Sequence, residues 1–117
     1  MAYLPTIDKK IQTVSALITT IASIPVPQNT VYYIEVRVLA YKSDYSSVRG
    51  GRVSGCFARG TGSVVKDGNI VNDLAGTLTG AAIVMVANTV SQTADIQVSG
   101  LAATVNWNLA IDVLINT

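Results

Sequence analysis

Five acids, Asp44, Asp67, Asp73, Asp95 and Asp112, one thiol, Cys56, and one indole, Trp107, carry most of the chemistry available to this chain. A short stretch adds Tyr41, Asp44, Tyr45, Arg49 and Arg52 around a polar loop. There is no histidine, which removes Ser-His-Asp and Cys-His catalysis and every imidazole-ligated metal site. No Gly-x-Ser-x-Gly, phosphate-binding loop or dinucleotide fingerprint occurs. The acids lack ligand spacing, although two loops together could offer oxygens to a calcium ion. A glycosidase pair needs two carboxyls held about 5–10 Å apart across a cleft, and nothing in the pattern builds a cleft. The expectation is a chain with no enzymatic role, no cofactor and no resident metal.

The remaining reactive groups have ordinary readings. A lone cysteine in an apolar strand is expected to be a small buried hydrophobe, and a single cysteine excludes an intrachain disulfide. Trp107 is expected in the core with its ring N–H bonded to a neighbour; a sugar-stacking platform is the alternative. Tyr41, Asp44, Tyr45, Arg49 and Arg52 form either a solvated loop or a contact to a partner protein. Arg49 and Arg52 could pair with Asp44 across the loop or across a subunit boundary.

The elements that must position these groups read as strands. Residues 105–115 alternate Val, Trp, Leu, Ile, Val and Ile at odd positions with Asn106, Asn108, Ala110 and Asp112 between them. Such period-two alternation marks a strand with one face in a core. Residues 30–41 alternate in the same way, with Tyr32, Ile34, Val36, Val38 and Ala40 opposite Tyr33, Glu35, Arg37 and Leu39. Residues 49–52 read as a bend or bulge, and residues 52–59 as a second strand. Asp67-Gly68-Asn69 is a hairpin signal. Residues 81–87 are apolar on both faces, as for a strand central in a sandwich or covered by another subunit. About seven strands at 8–12-residue spacing predict an all-β, antiparallel, jelly-roll-like sandwich over residues 30–117.

Residues 1–29 differ. Ile7, Ile11, Val14, Ile18 and Ile21 follow a heptad spacing over two heptads. Pro25 and Pro27 stop any helix near residue 23. The segment reads as a short helix or as an extended strand-adding arm. In both forms it is an assembly arm followed by a stiff Pro-containing linker, and Ile-rich a and d positions favour trimers.

Composition bounds the partners. Hydrophobic residues make up 50% and charged residues 13% of the chain, about half the usual charged share of ~25%. A surface that poor in charge is expected to be covered in part by copies of itself or by a larger assembly. The net charge of +1 argues against nucleic acid, which is bound through a basic excess. No run reaches the ~18 apolar residues of a membrane-spanning helix, and residues 12–20 are too polar for a signal-peptide core.

Four stretches together resemble the small β-sandwich modules of tailed-phage virion proteins, of the tail-fibre C-terminal and capsid-decoration type. They are residues 33–40, residues 51–57 with 62–65, residues 95–100, and residues 104–107 leading into the last strand. The resemblance implies a non-enzymatic, homotrimeric virion component at the particle surface, in contact with a capsid or tail protein. Two departures matter: only a short arm precedes the sandwich, and Ala81-Ala82-Ile83 stands where related modules show an aromatic and an acid. A small capsid decoration or cement protein, or a short fibre piece, is therefore expected. The alternatives are a receptor- or glycan-binding module of a tail fibre or spike, and an adhesin-like module that polymerises by strand addition.

Overall fold

In the computed structural model, which describes residues 2–116, nine strands follow one another. They are β1 (Ala2–Tyr3), β2 (Ile7–Thr13), β3 (Ile18–Pro25), β4 (Thr30–Lys42), β5 (Val48–Arg59), β6 (Val65–Gly76), β7 (Ala82–Asn88), β8 (Thr93–Ser99) and β9 (Val105–Ile115). The larger sheet runs β1-β9-β4-β5-β6, with β2 also paired to β9; the smaller runs β3-β8-β7. The two face each other across one core, giving the expected antiparallel sandwich.

The last strand is the hub. Val105, Trp107, Leu109, Ile111 and Val113 of β9 are buried, and the residues between them face outward. β4 pairs with β9 from Lys42↔Val105 to Tyr32↔Ile115. On its other side β9 receives β2 from Thr13↔Val105 to Ile7↔Ile111, then β1 at Leu114 and Ile115. Pro5 falls in the gap between β1 and β2, where the missing N–H costs no ladder bond. Tyr32, Ile34, Val36, Val38 and Ala40 of β4 bury the face adjoining β9. Across the core lie Ile83 and Met85 of β7 with Ala94, Ile96 and Val98 of β8.

The described residues 2–29 form no helix and take the extended form. Ile7, Ile11 and Thr13 point to the core as the edge of the large sheet, and β3 forms the edge of the small one. The heptad spacing is overridden because β-branched residues fit a pleated surface better than a two-heptad helix. Of the five residues with heptad spacing, Ile7, Ile11 and Ile21 pack against the core, while Val14 and Ile18 are exposed. The segment is thus hydrogen-bonded into both sheets, and it adds three strands to the six that residues 30–116 form where about seven were expected. The linker is also fastened: Val26 is buried, its N–H donates to the Gln92 carbonyl at 3.0 Å, and its carbonyl accepts from Arg59 at 3.1 Å.

Three local expectations change. Residues 67–69 are not a hairpin. They lie within β6, where the pairing slips from Ser54↔Val71 to Cys56↔Asp67. Gly68, at φ 78°, supplies the left-handed residue of this bulge. The extra residues turn Ile70 inward above Gly55, where a Cβ would lie 3.1 Å from Ile70 and 3.2 Å from Met85. Residues 49–52 are part of β5. The 81–87 run is not central: β7 pairs only with β8, and its outward residues Ala82, Val84 and Val86 are half-buried.

Trp107 is in the core, 1% exposed, with its Nε1–H donating to Thr13 Oγ1 at 3.0 Å. Thr13 is itself buried. The Thr13→Val variant keeps the shape and leaves the indole N–H unpaired, so it should cost about 1–3 kcal/mol. Urea unfolding followed by the fluorescence of the single tryptophan reads this directly; an unchanged midpoint would contradict the assignment.

Candidate functional site

The most exposed apolar surface is the outer face of the large sheet. Its rows follow from the register. Across β9, β4 and β5 run Leu114–Tyr33–Cys56, Asp112–Glu35–Ser54, Ala110–Arg37–Arg52, Asn108–Leu39–Gly50 and Asn106–Tyr41–Val48. β6 adds Asp67, Val71, Asp73 and Ala75, and the opposite edge adds Tyr3, Asp8, Lys10 and Gln12. Alternation that buries one side of each strand must leave the other side here. What is unusual is the content: Tyr3, Val31, Tyr33, Leu39, Val48, Val65 and Val71 are all exposed on this face.

The face has three zones. At one end Tyr41 and Tyr45 stack at 5.8 Å between ring centroids, with planes 14° apart. Tyr45 is 81% exposed and takes φ 61° in its loop. With Leu39, Ser47, Val48 and Asn108 they line a shallow hollow of about 450 Å³. At the other end sit Tyr3, Val31, Tyr33 and Leu114. Between them lies a charged belt. Arg37 reaches Asp112 at 2.9 Å, Thr6 also donates to Asp112 at 2.6 Å, and Arg52 lies 3.9 Å from Asp73. Glu35 accepts from the Tyr33 hydroxyl at 3.0 Å. Burial first, with Glu35 beside it, raises the Tyr33 pKa.

The candidate contact residues separate. Tyr41, Tyr45 and Arg52 share this face. Asp44 closes its own loop by accepting from Ser46 N–H at 3.0 Å, and the Ser46 bonds hold its carboxyl below the usual range. Arg49 lies on the inner side of β5 and donates to the Ala81 carbonyl at 3.2 Å, closing the end of the core beside Trp107. Within the chain Asp44 pairs with neither arginine across the loop, and the two arginines point to opposite sides of one strand. Val14, Leu17 and Ile18 make a second, smaller apolar patch at the β2–β3 turn.

Cys56 is exposed, against the expectation of burial. It shares the outward parity of Arg52 and Ser54, while Val53, Gly55 and Phe57 fill the inside. Asp95, one of the five acids named from the sequence as lacking ligand spacing, takes a structural place that the sequence pattern did not signal. It lies on the outer side of β8, only 6% exposed, and accepts from Thr93 Oγ1 at 2.7 Å and from Asn88 Nδ2 at 3.1 Å. Burial pushes its pKa up, but hydrogen bonds from Thr93, Asn88 and Ser23 outweigh it and the net shift is downward. A satisfied, ionised carboxylate of this kind holds structure and is poorly suited to shuttle protons. Among the described residues no three acid or thiol groups lie close enough together to hold a metal ion.

No protein-family model matches the sequence, and no curated protein matches it. Among solved structures, the fold is similar to part of the tailspike protein of Acinetobacter baumannii phage AM24, with a TM-score of 0.50 and 9% identity. The alignment covers 92% of this chain and 26% of the tailspike chain, so the sandwich spans about a quarter of that protein's length.

Two measurements check this geometry. At a dilution that keeps chains apart, a thiol reagent should modify Cys56 without denaturant; protection under those conditions until denaturant is added would place it inside the fold. For Asp95, a lowered folded pKa means that its contribution is present above the unfolded value of about 3.9 and is lost as pH falls through the folded one. Asp95→Asn should lose about 1–3 kcal/mol at neutral pH. It should also unfold with a shallower acid dependence below about pH 4 than the parent chain. Parallel acid dependences would contradict the assignment.

Proposed function

We propose that this chain is a non-enzymatic structural module of a bacteriophage particle, working by contact at the virion surface. The observation that carries the reading is the sandwich shared with a phage tailspike over nearly the whole chain. Two further features support it. The broadest exposed surface is an apolar, aromatic sheet face, and the potentially reactive groups are scattered or committed to structural bonds. In finer terms the reading is a small capsid decoration or cement protein, or a short fibre protein, whose copies contact one another and a capsid or tail protein. Three copies is the count that the resemblance to tail-fibre modules implies.

A specific feature favours a second reading, a receptor- or glycan-binding module. The stacked Tyr41–Tyr45 pair beside Asn108 and Ser47 offers an aromatic plane flanked by hydrogen-bonding groups. Sugars stack on such planes while their hydroxyls are bound at the edges.

Gold-labelled antibody against the chain, applied to purified particles and read by electron microscopy, should decorate them at regular positions. Particles that lack the chain, by labelling and by mass spectrometry, would overturn the virion reading. Binding on a glycan array that is lost in Tyr45→Ala would favour the second reading; an array without hits removes it.

A further inference from the structure

We propose that the outer face of the large sheet is covered by the same face of a second copy, the two sheets packed about a two-fold axis that crosses the strands. The inference rests on the contact-acting reading above and replaces its three-fold count with a two-fold pair. Three observations point to it.

The first is area. Five strands about 4.8 Å apart, over the run from Tyr33 to Tyr41 at ~3.3 Å per residue, make a face of roughly 24 Å by roughly 30 Å, or about 700 Å². A standard interface buries ~800 Å² per partner. The face therefore falls within the range of about 600–1,000 Å² per partner that standard interfaces bury.

The second is content. Exposed apolar residues occupy both ends of the face, with a belt of charge between them. Exposed apolar patches rimmed by polar groups mark an interaction site. A flat sheet without a deep cleft fits another flat sheet, and sheets stack about 10 Å apart with their strands within about 30° of each other.

The third is self-complementarity. A two-fold axis across the strands at the level of Val36 lays β4 antiparallel over its own copy. Arg37 then faces Glu35 of the second copy, Leu39 faces Tyr33, and Tyr41 faces Val31. On β5, Arg52 faces Ser54 and Val48 faces Ala58. On β9, Asp112 faces Ala110 and Leu114 faces Asn108. No two like charges on these three strands oppose one another, and the aromatic end of each copy lies on the apolar end of the other. Turning the axis parallel to the strands would instead set Arg37 against Arg37 and Asp8 against Asp73. The face discriminates between these arrangements through charge, as specific interfaces do.

The test is the mass in solution. Sedimentation equilibrium on the intact chain at tens of micromolar should give twice the 12.3 kDa of one chain. Leu39→Lys should give one chain, while Val90→Lys, at a loop position 96% exposed and away from this face, should leave the pair intact. Far-UV circular dichroism and a thermal melt check that Leu39→Lys still folds. A second variant fixes the register independently: in a Cys56→Ser background, Leu39→Cys combined with Tyr33→Cys should be joined into a covalent dimer by a short bis-maleimide spanning about 8 Å, and either cysteine alone should not. A mass of one or three chains, or a pair unaffected by Leu39→Lys, overturns the proposal. A chain found on particles but single in solution defeats only this pairing. A paired chain absent from particles defeats only the phage reading.

Discussion

The Trp107 indole donating to Thr13 joins the two ends of the chain inside the core. β9 can be the hub of the large sheet only because both of its sides are occupied, by β4 on one and by β2 and β1 on the other. Without β2 the indole and the buried row of β9 would face solvent along an open edge. An unpaired edge beside a large aromatic is costly twice, in ladder hydrogen bonds and in apolar area left wet. The buried hydroxyl of Thr13 meets the one polar atom of Trp107, so the core is closed without leaving a donor unpaired. Residues 7–13 are for this reason as much a part of the sandwich as the last strand.

The two sheets are unequal, and the inequality shapes the surface. Three strands cannot cover the inner face of a sheet nearly twice as wide. The far edge is handled by the bulge at Gly68, which brings Ile70 over Gly55 and Met85. Most of β6 beyond that point stays exposed, with Lys66, Asp67 and Asp73 along it. Charged residues and a bulge on an edge strand discourage further strand pairing. The small sheet treats its outer face differently. There Asp95, Asn88, Thr93 and Ser23 satisfy one another beside the half-buried Ala82, Val84 and Val86 of β7. The larger share of the exposed apolar residues lies on the outer face of the large sheet, with a smaller group at Val14, Leu17 and Ile18.

Much of this was legible in the amino-acid pattern. The alternation in residues 105–115 and 30–41 gave the correct buried faces because both strands are long and central, where period two dominates every competing signal. Burial of Trp107 and its bonded N–H followed from the same parity. Ile7, Ile11, Val14, Ile18 and Ile21 allowed a helix or an extended arm, because spacings of four and three fit a heptad while β-branched side chains fit a strand; the fold takes the extended form, with Ile7 and Ile11 in β2 and Ile18 and Ile21 in β3. Asp67-Gly68 carries the same positive-φ chemistry in a bulge as in a hairpin, so the local signal cannot say which. Cys56 had the outward parity of Arg52 and Ser54 from the start; the general rule for lone cysteines was allowed to outweigh it. The candidate face was only half legible, since Tyr41 and Tyr45 stood out while Leu39, Val48, Tyr33 and Val71 come together only through cross-strand register.

That last point bears on how such a protein acts. A catalytic site needs a few groups held convergently in a sheltered hollow, and convergence requires loops or strand ends that close around a space. Here the strands are long and regular, and the richest assortment of side chains lies on an open pleated plane. Groups on a plane point in parallel, so they act on a ligand only by adding many modest contacts over a wide area. On the proposed reading, such a surface acts by meeting a second extended surface. The belt of Arg37, Asp112, Glu35 and Arg52 adds little attraction while solvated. Its value lies in fixing which surface docks and in what register. Selectivity by charge and adhesion by apolar area are the division of labour expected of a part that assembles, and the fold supplies both from one side of one sheet.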